Sequence, residues 1–139
     1  MAISILTNAS VTYNSVNLSD HVESVEIQQS YDEVEITAMG ATAKTFSPGL
    51  REDTITLNFF QDFAVGSVDA TINGLLGSAA GAVMVIKPTT AAVSSVNPSY
   101  TATVSPYEYS PLNGSVGDAN QTSVTFRPVA GSSIVRAVT

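Results

Sequence analysis

Two stretches decide the fold: HVESVEIQQSYDEVEIT at residues 21–37 and REDTITLNFF at residues 51–60. In the second, Ile55, Leu57 and Phe59 face one way while Thr54, Thr56 and Asn58 face the other. Successive side chains of a strand point to opposite faces, so period-two alternation marks a half-buried β-strand. In the first, Val25, Ile27, Gln29 and Tyr31 share one parity, and Val34 and Ile36 take the other. An extra residue near Ser30–Asp32, as in a β-bulge, accounts for that flip. A hairpin turn would also account for it, but no Asn-Gly or Gly signal occurs there. The two stretches are expected to be antiparallel neighbours.

Between them lies AMGATAKTFSPGL, residues 38–50. Small side chains, Gly40 and the Ser47-Pro48-Gly49 turn signal make all of it a long loop. Loops of that length are uncommon in compact domains and usually carry function.

Outward from this hairpin the chain continues in the same style. Val11 and Tyr13 suggest a short strand, turning at Asn14-Ser15 into Val16 and Leu18. Residues 83–87, 100–109, 122–127 and 133–138 are strand-like, and Pro106 inside one of them demands an edge or a bulge. One helix is expected, with Ser67 as N-cap and Asp69 in the first turn. Val68, Ile72, Leu75 and Leu76 recur at helical spacing, and Gly77 is the stop. The expected architecture is mainly β, a β-sandwich or open barrel with one flanking α-helix, formed by residues 1–139 as a single domain.

Composition narrows the function. Hydrophobic residues make up 44% of the 139 positions and charged residues 12%, about half the usual charged share of roughly 25%. Ser-, Thr- and Asn-rich surfaces tolerate burial against a partner better than Lys- and Glu-rich ones, which favours an oligomer. Six of the twelve acids (Asp20, Glu23, Glu26, Asp32, Glu33 and Glu35) precede the first basic residue, Lys44. Five scattered Lys and Arg give no basic footprint, which argues against sequence-independent DNA binding. Cysteine is absent, and no run approaches the ~20 apolar residues of a membrane helix. The N-terminus lacks the pattern of a signal peptide, so synthesis and assembly in a cytoplasm are expected.

Nothing in the sequence points to catalysis, a cofactor or a metal. His21, the single histidine, reads as an ordinary surface or strand-start residue, since a zinc site or a triad needs further partners. The pairs Asp32/Glu33 and Glu52/Asp53 read as solvated acids, because sequential residues on a strand point apart. Gly114-Ser115-Val116-Gly117 lacks the following helix of a phosphate loop.

The segment Val34-Glu35-Ile36-Thr37, the small-residue loop, and then Phe46-Ser47-Pro48-Gly49-Leu50-Arg51-Glu52-Asp53-Thr54-Ile55-Thr56-Leu57 resembles the tail tube (major tail) proteins of long-tailed phages. There a V-E-x-T strand leads through a long loop into P-G-L-x-D/E and a strand alternating small polar with apolar residues. The resemblance is carried by residues 20–90, and the remainder agrees in architecture. It implies a non-enzymatic virion protein, assembled in the bacterial host cytoplasm. Copies would form hexameric rings that stack into a tube, joined to other tail proteins, through which DNA passes without specific binding.

It also implies that Met39, Gly40, Lys44, Phe46, Pro48, Gly49 and Leu50 form an inter-subunit loop, with Phe46 or Met39 as anchor. Glu26, Glu33 and Glu35 would line the channel, where like charge repels DNA. A capsid decoration or other accessory virion protein is the alternative reading, and a small β-sandwich hydrolase is a third.

Overall fold

The computed structural model describes residues 3–139. Eight strands form one antiparallel sheet: β1 Ser10–Tyr13, β2 Val16–Asn17, β3 Val22–Glu35, β4 Phe46–Phe60, β5 Ala82–Lys87, β6 Ser99–Tyr109, β7 Gln121–Pro128 and β8 Val135–Ala137. Their order is β2-β1-β5-β6-β7-β4-β3, and β8 pairs with the start of β6. β3 and β4 are antiparallel neighbours, with Val25 opposite Leu57 and Ile27 opposite Ile55. At the β1–β2 turn Asn14 and Ser15 have φ of 52° and 64°. Positive φ at both central residues is what a two-residue hairpin needs to match the strand twist.

The sheet closes on itself as an open barrel. β1 and β7 are separated by β5 and β6, which puts them about 14 Å apart in a flat sheet. Nevertheless the Tyr13 and Phe126 rings meet edge-on at 5.1 Å, and the Tyr13 hydroxyl donates to the Val104 carbonyl at 2.9 Å. Curling brings Val11, Tyr13, Leu57, Phe59, Met84, Val104, Val124 and Phe126 into one core, all fully buried. Burying each large side chain is worth roughly 1.5–3 kcal/mol. Burial also pushes the Tyr13 phenol up to about 12.

The helix, α1, packs against β6. It spans only Val68–Asn73 and passes through turns to Gly77, so Leu75 and Leu76 lie beyond it. Val68 and Ile72 are fully buried. The Ser105 hydroxyl donates to the Leu75 and Ser78 carbonyls, and the Gly77 amide donates to Pro106 O at 3.1 Å. These bonds to β6 take up backbone groups that a longer helix would have used internally. Ser67 makes no side-chain cap to the helix. Its carbonyl accepts from the Thr71 hydroxyl, and its own hydroxyl is bonded to Asp62.

Four strand details depart from or refine the sequence expectation. β4 begins at Phe46, so Phe46–Leu50 is strand rather than loop. Only Ile55–Phe60 of β4 pairs with β7, leaving the other edge of Phe46–Thr54 free. A free edge tolerates the missing N–H of Pro48. The expected bulge lies at the right level but on the other strand. Tyr31 opposes Arg51 and Glu33 opposes Pro48, so the surplus residue falls at Gly49–Leu50. A Cβ on Gly49 would lie 2.7 Å from Val34 Cγ2, which explains why the strands close only around glycine. The bulge expected at Pro106 occurs between Pro106 and Glu108. β8 is shorter than expected because Ile134 leaves the strand line to enter the core, 2% exposed.

Candidate assembly surface

Beyond Ile55 the hairpin β3–β4 leaves the sheet and runs on as a free two-stranded arm. Every residue from Tyr31 to Phe46 is exposed. Isolated two-stranded ribbons are marginal in water, so an arm of this length needs something to dock on. Its side chains suit docking: Tyr31, Val34, Ile36, Met39, Phe46 and Leu50 are all large, apolar and between 44% and 104% exposed. By strand alternation and register, Tyr31 and Phe46 lie on one face of the arm and Val34 on the other. The parity flip in the sequence therefore reflects an arm apolar on both faces, not a change in which side is buried.

At the tip, residues 36–45 turn the chain. Ile36 N donates to Thr45 O at 2.8 Å and Thr45 N donates to the Thr37 hydroxyl at 2.8 Å, extending the ladder past β3. Gly40 has φ of 86°, a left-handed conformation that glycine adopts without strain. Of the residues expected in an inter-subunit loop, Met39, Gly40 and Lys44 are in this tip. Phe46, Pro48, Gly49 and Leu50 form the returning strand.

The base of the arm is clamped by a group the sequence did not reveal. Asp53 is 5% exposed, not solvated. Its carboxylate accepts from Arg51 Nε at 2.9 Å and from the Ile134 amide at 2.9 Å, while Arg51 also donates to Ile134 O at 2.8 Å. The Asp53 bond raises the Arg51 pKa. The guanidinium carbon stands 5.7 Å from the Tyr31 ring centre, a cation–π contact that ties both strands to the C-terminal segment. Glu52, on the opposite face, pairs with Arg127 at 3.0 Å. Only the strand periodicity of Asp53 with Ile55, Leu57 and Phe59 signalled its burial. Asp53→Ala is expected to cost about 1–3 kcal/mol, since it strands a buried amide donor and the guanidinium. Urea denaturation checks this, and an unchanged midpoint would remove the clamp from the account.

The expected channel acids are divided between two faces. Glu26 lies opposite Thr56 on the outer face of the sheet, among Ser24, Gln28, Thr54 and Asn58. Glu33 and Glu35 fall on the other face of the arm, opposite Pro48 and Phe46. A further acid joins Glu26: past the β6 bulge, Glu108 opposes Thr125 on the same outer face. Strand alternation alone could not place Glu108, because the bulge at Tyr107 resets the parity. His21 sits before β3, with Nδ1 2.8 Å from Asp20 and Nε2 2.9 Å from Asp62. The Ala64 amide, then the Ser67 hydroxyl, hold Asp62 below the usual carboxylate range. This network fastens β3 to the loop entering α1. Among the described residues no helix is long and apolar enough to cross a membrane.

Neither a protein-family model nor a curated protein sequence matches the chain. Solved structures do. A chain of the SPP1 tail tube superposes with a TM-score of 0.72 at 8% identity, covering 95% of this chain and 77% of that one. This is the tail-tube fold. The same fold relates the chain to the sheath/tube terminator of the PVC extracellular contractile injection system, with a TM-score of 0.73 at 15% identity and coverage of 98% and 97%. A chain in the tail of an empty gene transfer agent particle, refined with C6 symmetry, gives 0.65 at 9% identity with coverage of 83% and 82%.

Proposed function

We propose that the chain is the structural, non-enzymatic subunit of a tail tube. Copies of it form hexameric rings that stack around a channel for DNA and join other tail proteins in a virion, after assembly in the host cytoplasm. The observation that carries this reading is the free arm, residues 28–50, exposed and apolar on both faces within a tail-tube fold. An arm of that kind has no use in a monomer and full use between subunits. The six-fold symmetry of the gene transfer agent tail supports hexameric rings.

The channel wall in this reading is the outer face of β3, β4, β7 and the end of β6. It presents Ser24, Gln28, Thr54, Thr56, Asn58, Ser123 and Thr125 with Glu26 and Glu108. Most of the face is hydroxyl and amide, its exposed rings Phe60 and Tyr107 stand at the end of β4 and in the β6 bulge, and its one cation among the described residues, Arg127, is paired with Glu52. Such a surface lets DNA slide. Glu33 and Glu35 extend the negative charge onto the arm.

Electron microscopy of the purified protein at high concentration tests the reading. Tubes of uniform diameter, or six-fold rings, are the expected result. A protein that stays monomeric at every concentration would return the choice to an accessory virion protein.

A further inference from the structure

We propose that the loop between β6 and β7 is the receptor for the arm tip of a second copy, with Met39 seated against Leu112 and Lys44 paired with Asp118. This rests on the tail-tube reading and names the contact that makes stacking directional.

The two surfaces stand at opposite ends of β4. Phe46, beside the arm tip, and Phe60, beside the receptor loop, are fourteen steps apart, about 46 Å of extended strand. Phe60 pairs with Gln121, the first residue after the loop. Tip and loop therefore cannot meet within one chain.

The loop is held open as a firm concavity. Gln61 donates its amide to Asn120 O at 2.8 Å and its side chain to Pro111 O at 2.8 Å, while Asn113 N donates to the Asn120 side chain at 3.1 Å. These bonds frame a hollow of about 290 Å³ lined by Leu112, Asn113, Gly114, Ser115, Asp118 and Asn120. Leu112 is 75% exposed at its wall. Met39 projects fully from the arm tip, and its unbranched thioether fills irregular hollows well.

Charge selects the same pair. Of the five cations, Arg51 and Arg127 are paired within the chain and Lys87 donates to Ala91 O. Lys44 and Arg136 have no such partner among the described residues, and Lys44 is at the tip. At the receptor end Asp62 holds His21 and Asp69 accepts from Tyr109; Glu23, Glu108 and Asp118 have no side-chain partner among the described residues, and of these Asp118 is the one that lines the hollow. Arm residues Asp32, Glu33 and Glu35 would be repelled there, so only the tip fits. Because the two patches differ, the contact is heterologous and repeats head to tail.

A charge swap tests the contact. Lys44→Glu and Asp118→Lys are made singly and together, and the critical concentration for assembly is measured by sedimentation. Both positions are exposed, so thermal melting should match the wild type. Each single variant should raise the critical concentration about tenfold or more, and the double variant should return most of the way to wild type. Singles that assemble normally, or a double as poor as the worse single, overturn the contact while leaving the tube reading intact. A wild type that forms no assembly removes both.

Discussion

Replacing residues 37–44 by Asn-Gly, which joins the ladder partners Ile36 and Thr45, should give a folded chain that does not form tubes at concentrations where the wild type does. Folding should survive because the core does not extend into the arm. Every buried apolar side chain of the core lies elsewhere, and the clamp of Asp53, Arg51 and Ile134 sits at the base of the arm. The Asn-Gly pair supplies the two-residue turn that ladder-paired strands accept. Assembly should fail because the tip carries Met39 and Lys44, and neither has another route to a neighbour. Seating one Met-sized side chain is worth roughly 2 kcal/mol, which alone shifts an association constant about 30-fold. The critical concentration should therefore rise by at least that factor. Circular dichroism and melting establish folding, and electron microscopy with sedimentation reads the polymer. Tubes of ordinary length from the shortened chain would show that the arm tip is not an interface.

How much of this was legible in the sequence depended on what each residue's neighbours were. Alternation in residues 51–60 placed β4 and its pairing with β3 correctly, because one face of that segment is buried and burial writes period two into the chain. Past Asp53 the strand leaves the sheet, and burial no longer constrains it. Pro48 and Gly49 then look like a turn, although one sits on a free edge and the other inside a bulge. Asp53 was misread for a related reason. Its partners Arg51 and Ile134 are two and eighty-one residues away, and the second is invisible without the curl of the sheet. The channel acids came from the resemblance and were read as solvent-facing along β3; with the bulge on β4 instead, Glu26 and the pair Glu33 and Glu35 fall on opposite faces. Register was needed to separate Glu26 from Glu33 and Glu35, and a bulge to bring in Glu108. The arm's apolar side chains were visible as a parity flip, but its meaning came only from their exposure.

Reversing charge on the proposed channel wall should turn a tube that ignores DNA into one that holds it. Glu26→Lys with Glu108→Lys places both changes on the outer face of the sheet, and each adds two units to a formal subunit charge of −7. Both residues are exposed and neither has an ion-pair partner among the described residues, so folding and assembly should be little affected. One lysine on a monomer would do little, since exposed charges are screened over about 8 Å at physiological salt. In a stacked tube the substitution recurs in every subunit of every ring, and the lysines become a continuous cationic track around the duplex. Tubes of this variant should bind DNA at low salt, with log affinity falling linearly against log salt as counterions are displaced. In a virion the same change should slow genome ejection from tails of normal appearance. Glu33→Lys with Glu35→Lys is the internal comparison, with the same added charge on the face that carries Tyr31 and Phe46. That face is proposed to pack against subunits, so this variant should impair assembly more and bind DNA less. If instead the Glu26/Glu108 tubes still ignore DNA at low salt while the Glu33/Glu35 tubes bind it, the channel lies on the arm's other face. If neither binds, the acids serve only the solubility of the free subunit.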